Sequence, residues 1–405
     1  MKFFPSLILL IFVMPASIQA RPVEAQHAPE LYSPSAILID ADSGRILFEK
    51  NADEALPPAS LTKVVTMHLA LEAVSRGRLG LDDEVDLPSE TWAVNMPPRS
   101  SLMFLGPGQR VSVRELLEGM AVASGNDAAS ALALHLAGSI PAFAARMNEA
   151  VRALGYSKMH FEEPSGISEN NLITAREFCF FLKDYLRAHP NSLEELHSLK
   201  DFSYPKPANL KNGQKLQPII QHNKNALLNL YPGVDGIKTG FIVESGFNLA
   251  LTAKNNGMRL ISVTLGARNE SRTGGAGRRN RDGIALLEFG FGNFTTVEAP
   301  MPKARPIKVW KGEPDSFTPE MPERVAVTIA KSAAAELKGE LTQISSLTAP
   351  VAAGSLVGRV VFTAGGEVAR TIELDVGKAI PPGPWWRQVL DSILLFFLQL
   401  FGAAH

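Results

Sequence analysis

The sequence predicts an α+β domain, an antiparallel sheet flanked by helices, followed by a smaller all-β domain and a C-terminal amphipathic helix. Three observations predict it. Apolar residues recur at helical spacing in LTKVVTMHLALEAVSRG (61–77) and VRELLEGMAVASGNDAASALALHLAGS (113–139). Three strand-like runs then follow closely: GVDGIKTGF, GFNLALTAK and MRLISVTLGA, the last two joined by the turn Asn255-Asn256-Gly257. From about residue 298 the composition changes, with prolines at 300, 302 and 306 and then β-branched, glycine-punctuated segments.

The elements follow in chain order. Met1-Lys2, an apolar stretch from Leu7 to Met14 and the softer PASIQA have the form of a secretory leader, with an apolar region too short to span a bilayer. Pro5 and Pro15 bracket that run, and cleavage after Ala20 or Ala25 is expected. AILIDADSGRILFEKN reads as two strands joined at Asp42-Ser43-Gly44. PPAS opens the first helical run, which Gly77 closes, and Ser124-Gly125-Asn126 breaks the second. RRNRDGIALLEFGF returns to helix. The expected division is a leader at 1–25, the larger α+β domain at 26–297, the small β domain at 298–380 and a tail at 381–405.

The tail begins PPGP and continues WWRQVLDSILLFFLQLF. Its 17 residues from 385 to 401 fall short of the roughly 20 needed to cross hydrocarbon. At about 100° per residue, Arg387, Gln388, Asp391, Ser392 and Gln399 share one arc, and aromatic and aliphatic residues fill most of the rest. That pattern fits a helix lying in the membrane surface plane, with two tryptophans at headgroup depth.

Composition removes several classes. Of 405 residues, 40 are basic and 41 acidic, so no polyanion such as nucleic acid is an expected partner. The single cysteine, Cys179, sits among Phe178, Phe180 and Phe181 and reads as a buried structural thiol. Eight histidines are scattered without His-Glu-x-x-His or clustered Cys/His spacing, so neither a metal nor a cofactor is expected. GGAG at 274–277 reads as a flexible turn rather than a phosphate loop.

Three short motifs carry chemistry. Ser60-Leu61-Thr62-Lys63 at a helix start puts a hydroxyl and an amine one turn apart on one face. Lys63 serves as a base only if burial or a nearby cation lowers its pKa. Ser203-Tyr204-Pro205-Lys206 matches the same pattern, but its proline precludes the helical turn. Ser124-Gly125-Asn126 breaks two apolar helices and can push a hydroxyl and an amide into a cleft. Its competitor, Ser168-Glu169-Asn170, lies in a turn-rich loop. Lys238-Thr239-Gly240 falls in a strand, where a lysine and a threonine can meet a carboxylate and a glycine admits a close backbone.

Ser-x-x-Lys, Ser-x-Asn and Lys-Thr-Gly in this order resemble the signature of penicillin-binding proteins and serine β-lactamases. The flanks PPASLTK, ASGNDAA and GVDGIKTGF, with the loop FEEPSGISENN, are most similar to D-alanyl-D-alanine carboxypeptidases, low-molecular-mass penicillin-binding proteins of serine peptidase family S11. The resemblance spans roughly residues 33 to 295 and implies a transpeptidase (β-lactamase-like) fold. It implies Ser60 as nucleophile, Lys63 as its base and Ser124 as the proton relay to leaving D-alanine. Asn126 would bond the substrate peptide, and Lys238 and Thr239 would bind the terminal carboxylate region and help keep Lys63 neutral. Backbone N–H groups of Ser60 and Phe241 would form the oxyanion hole, and Arg272, with Arg268 as competitor, would lie near the carboxylate.

The implied substrates are the peptidoglycan pentapeptide stem and, as acylating inhibitors, β-lactam antibiotics. The implied location is the periplasmic face of the cytoplasmic membrane. Two other activities share these motifs. A β-lactamase adds a deacylating loop glutamate, a role that Glu163 suggests, although its context Pro-Ser-Gly-Ile reads as the carboxypeptidase loop with Glu163 at the surface. An endopeptidase would cut related D-Ala bonds with the same groups. A non-enzymatic wall-binding module needs neither Ser60 nor Lys63.

Overall fold

A computed structural model of the protein describes residues 28–211, 215–268 and 274–400. The leader at 1–25 and Arg272 lie outside the described residues. At the centre is a five-stranded antiparallel sheet built from both ends of the first domain. Strands β1 (Ser35–Asp40) and β2 (Ile46–Lys50) form the amino-terminal hairpin. A short ladder, β3 (Ala55–Leu56) with β4 (Ile173–Thr174), and a second hairpin, β5 (Asp201–Tyr204) with β6 (Ile219–His222), lie outside the main sheet. Strands β7 (Val234–Ile242), β8 (Gly246–Asn255) and β9 (Met258–Ala267) complete it in the order β2-β1-β9-β8-β7, so β7 is an edge.

Alternation along β1 explains its unbroken apolar run. Ile37 and Ile39 join one core and Ala36 and Leu38 another, so both faces of the sheet are covered. The first core is made with α1 (Thr62–Ser75), α2 (Val113–Ala121), α3 (Asn126–Ala137), α4 (Ile140–Ala153) and α5 (Ala175–Ala188). The second is closed by the short α6 (Leu227–Leu230) and by α7 (Gly275–Asn293) through Leu286 and Leu287. Gly275, Ala276 and Gly277 thus form the first turn of α7, not the flexible turn expected of GGAG, because the apolar face that follows anchors the helix back to this point. Local chemistry fixes several helix starts: Ser112 and Glu115 form a reciprocal capping box on α2, and Ser139 and Thr174 cap α4 and α5.

Strand β10 (Phe294–Pro300) follows α7 directly, ahead of the composition change near 298, and pairs with β13 (Arg324–Ala330). The other strands of this region form two three-stranded sheets. One comprises β11 (Ile307–Trp310), β12 (Ser316–Phe317) and β15 (Ser346–Thr348); the other comprises β14 (Lys338–Gln343), β16 (Leu356–Ala364) and β17 (Glu367–Asp375). They enclose a separate core around Val309, Val327, Ile329, Val360 and Phe362. The turn of the first hairpin grips this unit: Thr296 Oγ1 donates to Asp40 Oδ2 at 2.7 Å, and Arg45 donates to the Thr328 carbonyl at 2.8 Å.

Helix α8 (Trp385–Leu400) docks on the β unit by its polar face. Lys311 N–H donates to Asp391 Oδ2 at 2.5 Å, and Arg387 donates to the Glu313 and Pro314 carbonyls and pairs with Asp315 at 2.6 Å. The opposite face stays exposed, with Trp385 at 76%, Phe396 at 58% and Leu400 at 63% accessible. Among the described residues no single helix is long and apolar enough to cross a membrane.

Candidate active site

Ser60 lies in a single 3₁₀ turn, Ala59–Leu61, that leads directly into α1. Lys63, in the first turn of α1, is fully buried, with its Nζ 3.1 Å from Ser60 Oγ. The same amine lies 2.7 Å from Asn126 Oδ1 and 2.6 Å from the Ser165 carbonyl oxygen. Burial pulls the Lys63 pKa down to about 7, with Glu163 opposing the shift and Lys224 reinforcing it. A neutral amine has two N–H donors and one lone pair. The Asn126 and Ser165 oxygens are acceptors only, so they take both donors and leave the lone pair for the Ser60 hydroxyl. The cage therefore orients a base.

Between α2 and α3, Ser124 adopts a left-handed φ of +62°, and Gly125 precedes Asn126 at the start of α3. Such a conformation costs about 1–3 kcal/mol in a non-glycine residue and persists where the surroundings enforce it. Asp127 does much of that enforcing by accepting backbone N–H bonds from Met103, Phe104 and Leu105. The reversal aims Ser124 Oγ at Lys238 Nζ, 3.0 Å away on β7. Lys238 is 2% exposed, and its pKa is pushed well down by burial, then by Lys63, Lys224 and Arg279.

Ala59 also has a left-handed φ, of +51°, immediately before the proposed nucleophile. Two glycines admit that backbone. A side chain at Gly166, itself at φ +83°, would come within 1.8 Å of the Ala59 carbonyl oxygen. One at Gly240 would come within 2.7 Å of the Pro58 carbonyl oxygen and 3.1 Å of the Ser60 nitrogen. The space left by Gly240 is thus filled by the chain's own Pro58–Ser60 segment, where the sequence suggested room for a substrate backbone.

The three motifs meet at one place. Asn126 presents its oxygen to Lys63, and among the described residues its NH₂ has no protein partner. Thr239 is buried and its carbonyl accepts from Lys238 at 3.1 Å. Phe241 is 46% exposed and its ring packs on Phe247 at 4.3 Å. Arg268 points to the Glu244 carbonyl at 2.6 Å. The competing motifs stay away: Ser203 belongs to the β5–β6 hairpin, and Ser168 and Asn170 bond Glu162 on an exposed loop. Cys179 is fully buried, and burial alone pushes its thiol pKa up, which suits an inert packing group.

Two residues of the site were missed or misread in the sequence. Lys224 donates to Ser101 Oγ at 2.5 Å and adds a third amine near Lys63 and Lys238; burial lowers its own pKa. It carries no motif of its own. Glu163 is not the surface carboxylate expected. It is half-buried and accepts from Ser165 N and Oγ, Gly166 N and Asn171 Nδ2 at 2.6–2.9 Å, thereby shaping the loop whose Ser165 carbonyl holds Lys63. The short spacing Glu163-Pro164-Ser165-Gly166 was the available signal.

A family model described as D-alanyl-D-alanine carboxypeptidase matches residues 22–269, and one described as penicillin-binding protein 5, C-terminal domain, matches 298–382. The chain is 34% identical to the D-alanyl-D-alanine carboxypeptidase DacC of Escherichia coli, across 98% of this chain and 96% of that one. It is also 34% identical to DacA of the same organism, across 92% and 90%. Among solved structures it resembles penicillin-binding protein 5 from Haemophilus influenzae, with a TM-score of 0.76 and 32% identity over 87% of this chain and 99% of that chain. It also resembles penicillin-binding protein D2 from Listeria monocytogenes in its ampicillin-bound form, with a TM-score of 0.55 and 30% identity over 65% of this chain and all of that chain.

Proposed function

The chain belongs to the D-alanyl-D-alanine carboxypeptidase family, and from that premise we propose that Ser60, Lys63 and Ser124 carry its acyl transfer. It is a penicillin-binding serine carboxypeptidase that removes the terminal D-alanine from peptidoglycan pentapeptides. One observation carries the residue assignment: a buried Lys63 amine 3.1 Å from Ser60 Oγ, its other contacts being two proton acceptors.

Lys63 takes the Ser60 proton as Oγ attacks the carbonyl carbon of the penultimate D-alanine. The oxyanion is met by the N–H groups of Ser60 and Phe241, each such donor being worth about 3 kcal/mol in comparable sites. The approach of Gly240 to the Ser60 nitrogen, which sets β7 beside the nucleophile, supports that pairing. As the C–N bond breaks, Ser124 passes a proton to the departing D-alanine nitrogen, and water later hydrolyses the Ser60 ester. Asn126 donates its NH₂ to the substrate peptide. Lys238, Thr239 and Lys224 receive the terminal carboxylate, whose charge restores what burial removes from the two lysines. Glu163 has both oxygens engaged by its own loop, which favours a long-lived penicillin ester over β-lactamase turnover.

Intact mass spectrometry after penicillin treatment tests the assignment. One adduct should map to the Ser60 peptide and persist, and Ser60→Ala should give none. An adduct in Ser60→Ala, or rapid regeneration of free enzyme, would overturn it.

The chain is exported, and α8 binds it to the periplasmic membrane surface, in this same reading. Docking by the polar face, which leaves the aromatic and aliphatic face open, supports the anchor. Removal of residues 385–405 should release activity into the soluble fraction, and retention on membranes would defeat the anchor.

A further inference from the structure

Beyond Lys63, α1 contributes to a second constellation. His68 and Glu72 stand four residues apart on one helical face, and His189 at the end of α5 comes against them. His68 Nδ1 lies 2.9 Å from His189 Nε2, and one ligand atom from each of the three residues falls within 4.8 Å of the others. Both imidazoles are buried, at 7% and 8% exposure, while His68 and Glu72 line a cavity of about 910 Å³.

We propose that His68, Glu72 and His189 form a binding site for a divalent transition-metal ion of the zinc type, open on one side to the cavity. Two imidazoles and one carboxylate are a borderline donor set that suits zinc and disfavours the hard, oxygen-seeking magnesium and calcium. With metal–nitrogen bonds of about 2.05 Å, a tetrahedral angle places the two nitrogens about 3.3 Å apart, so on binding the imidazoles open by about 0.4 Å, the proton between them moves to the outer nitrogen of its ring, and the Glu72 oxygen, within 4.8 Å of both, closes in. Arg76 pairs with Glu72 Oε2, an outer contact that positions the carboxylate and leaves its second oxygen for an ion. A fourth ligand, water or a small anion, enters from the cavity, where Arg146 and Arg187 line the wall.

An ion here would tie α1, which carries Lys63 and follows directly on the Ser60 turn, to the end of α5, a brace separate from the acyl-transfer groups. Spacing within the sequence hides it, since 121 residues separate His68 from His189.

Calorimetric titration of untagged, chelator-treated protein with Zn²⁺ tests the site. Wild type should bind one ion with low-micromolar or tighter affinity, and millimolar Mg²⁺ or Ca²⁺ should not displace it. Glu72→Gln and His189→Gln should each weaken binding at least tenfold, with penicillin acylation of Ser60 unchanged. Anomalous diffraction at the zinc edge from soaked wild-type crystals locates the ion even if a variant fails to fold. No binding by wild type, equal binding by folded variants, displacement by Mg²⁺, or an anomalous peak away from His68 and His189 would each overturn the proposal.

Discussion

Lys63 Nζ lies closer to the Ser165 carbonyl oxygen, at 2.6 Å, than to Ser60 Oγ, at 3.1 Å. The lysine is thus positioned by a loop more than a hundred residues downstream as firmly as by its own helix. Because that carbonyl only accepts, it fixes one N–H of the amine and so the direction of the lone pair.

A residue that cannot give up its proton at Lys63 should fail as a base. Arginine keeps the charge but stays protonated in proteins, so Lys63→Arg should lower the acylation rate about 10³-fold. Stopped-flow measurement with a chromogenic penicillin checks this, and a loss below tenfold would remove Lys63 from the proton path.

Acylation should rise with pH through about 7 and level off above it, since the base proposed here, Lys63, accepts a proton only when neutral. Stability should follow a linked course. The unfolded chain holds this proton to about pH 10.4, so from about pH 7 to 10 it binds more protons than the folded one. In that window the contribution of Lys63 to stability increases with pH. Urea unfolding of wild type and Lys63→Met across this range separates the term.

Two neighbours should move the inflection in opposite directions. The Glu163 charge raises the Lys63 pKa and that of Lys224 lowers it. Glu163→Gln should therefore shift the acylation profile to lower pH and Lys224→Met to higher pH. Shifts of the same sign would refute this electrostatic account.

Gly166→Ala should destabilise the fold by about 2–5 kcal/mol, since it combines a left-handed backbone with a methyl group driven into the Ala59 carbonyl. Displacement of Ser60 by about 1 Å should also cost about a hundredfold in acylation. Urea denaturation and acylation kinetics on the same preparation measure both.

Arg387→Ala with Asp391→Ala removes the contacts that seat α8 on the β unit. Amide exchange in residues 385–400 should quicken at least tenfold in the detergent-free protein, while binding to anionic vesicles persists. Loss of vesicle binding would mean that the docked orientation itself is required.

Much of the fold was legible because its signals are local. The Asn255-Asn256-Gly257 turn follows from three adjacent residues, and the start of the first helical run from PPAS just before it. The hairpin of β1 and β2 was visible in its turn residues, whereas the burial of β1 on both faces came only with the packed sheet. The polar arc of α8 was also visible, but not that Lys311 and Asp315 would take it, since those partners lie some eighty residues earlier.

Sequence alone determined which groups are available: Ser60 and Lys63 one turn apart, Ser124 and Asn126 at a helix break, Lys238 in a strand. It also determined that prolines exclude the Ser203 motif. Tertiary structure alone decided that Ser165 and Asn126 would cage Lys63, that Lys224 and Glu163 would oppose each other in setting its proton affinity, and that His68 would find His189. The difference is physical. Dihedral preference and hydrophobic period act over a few residues, whereas desolvation and charge coupling depend on distances through space that only the packed core sets.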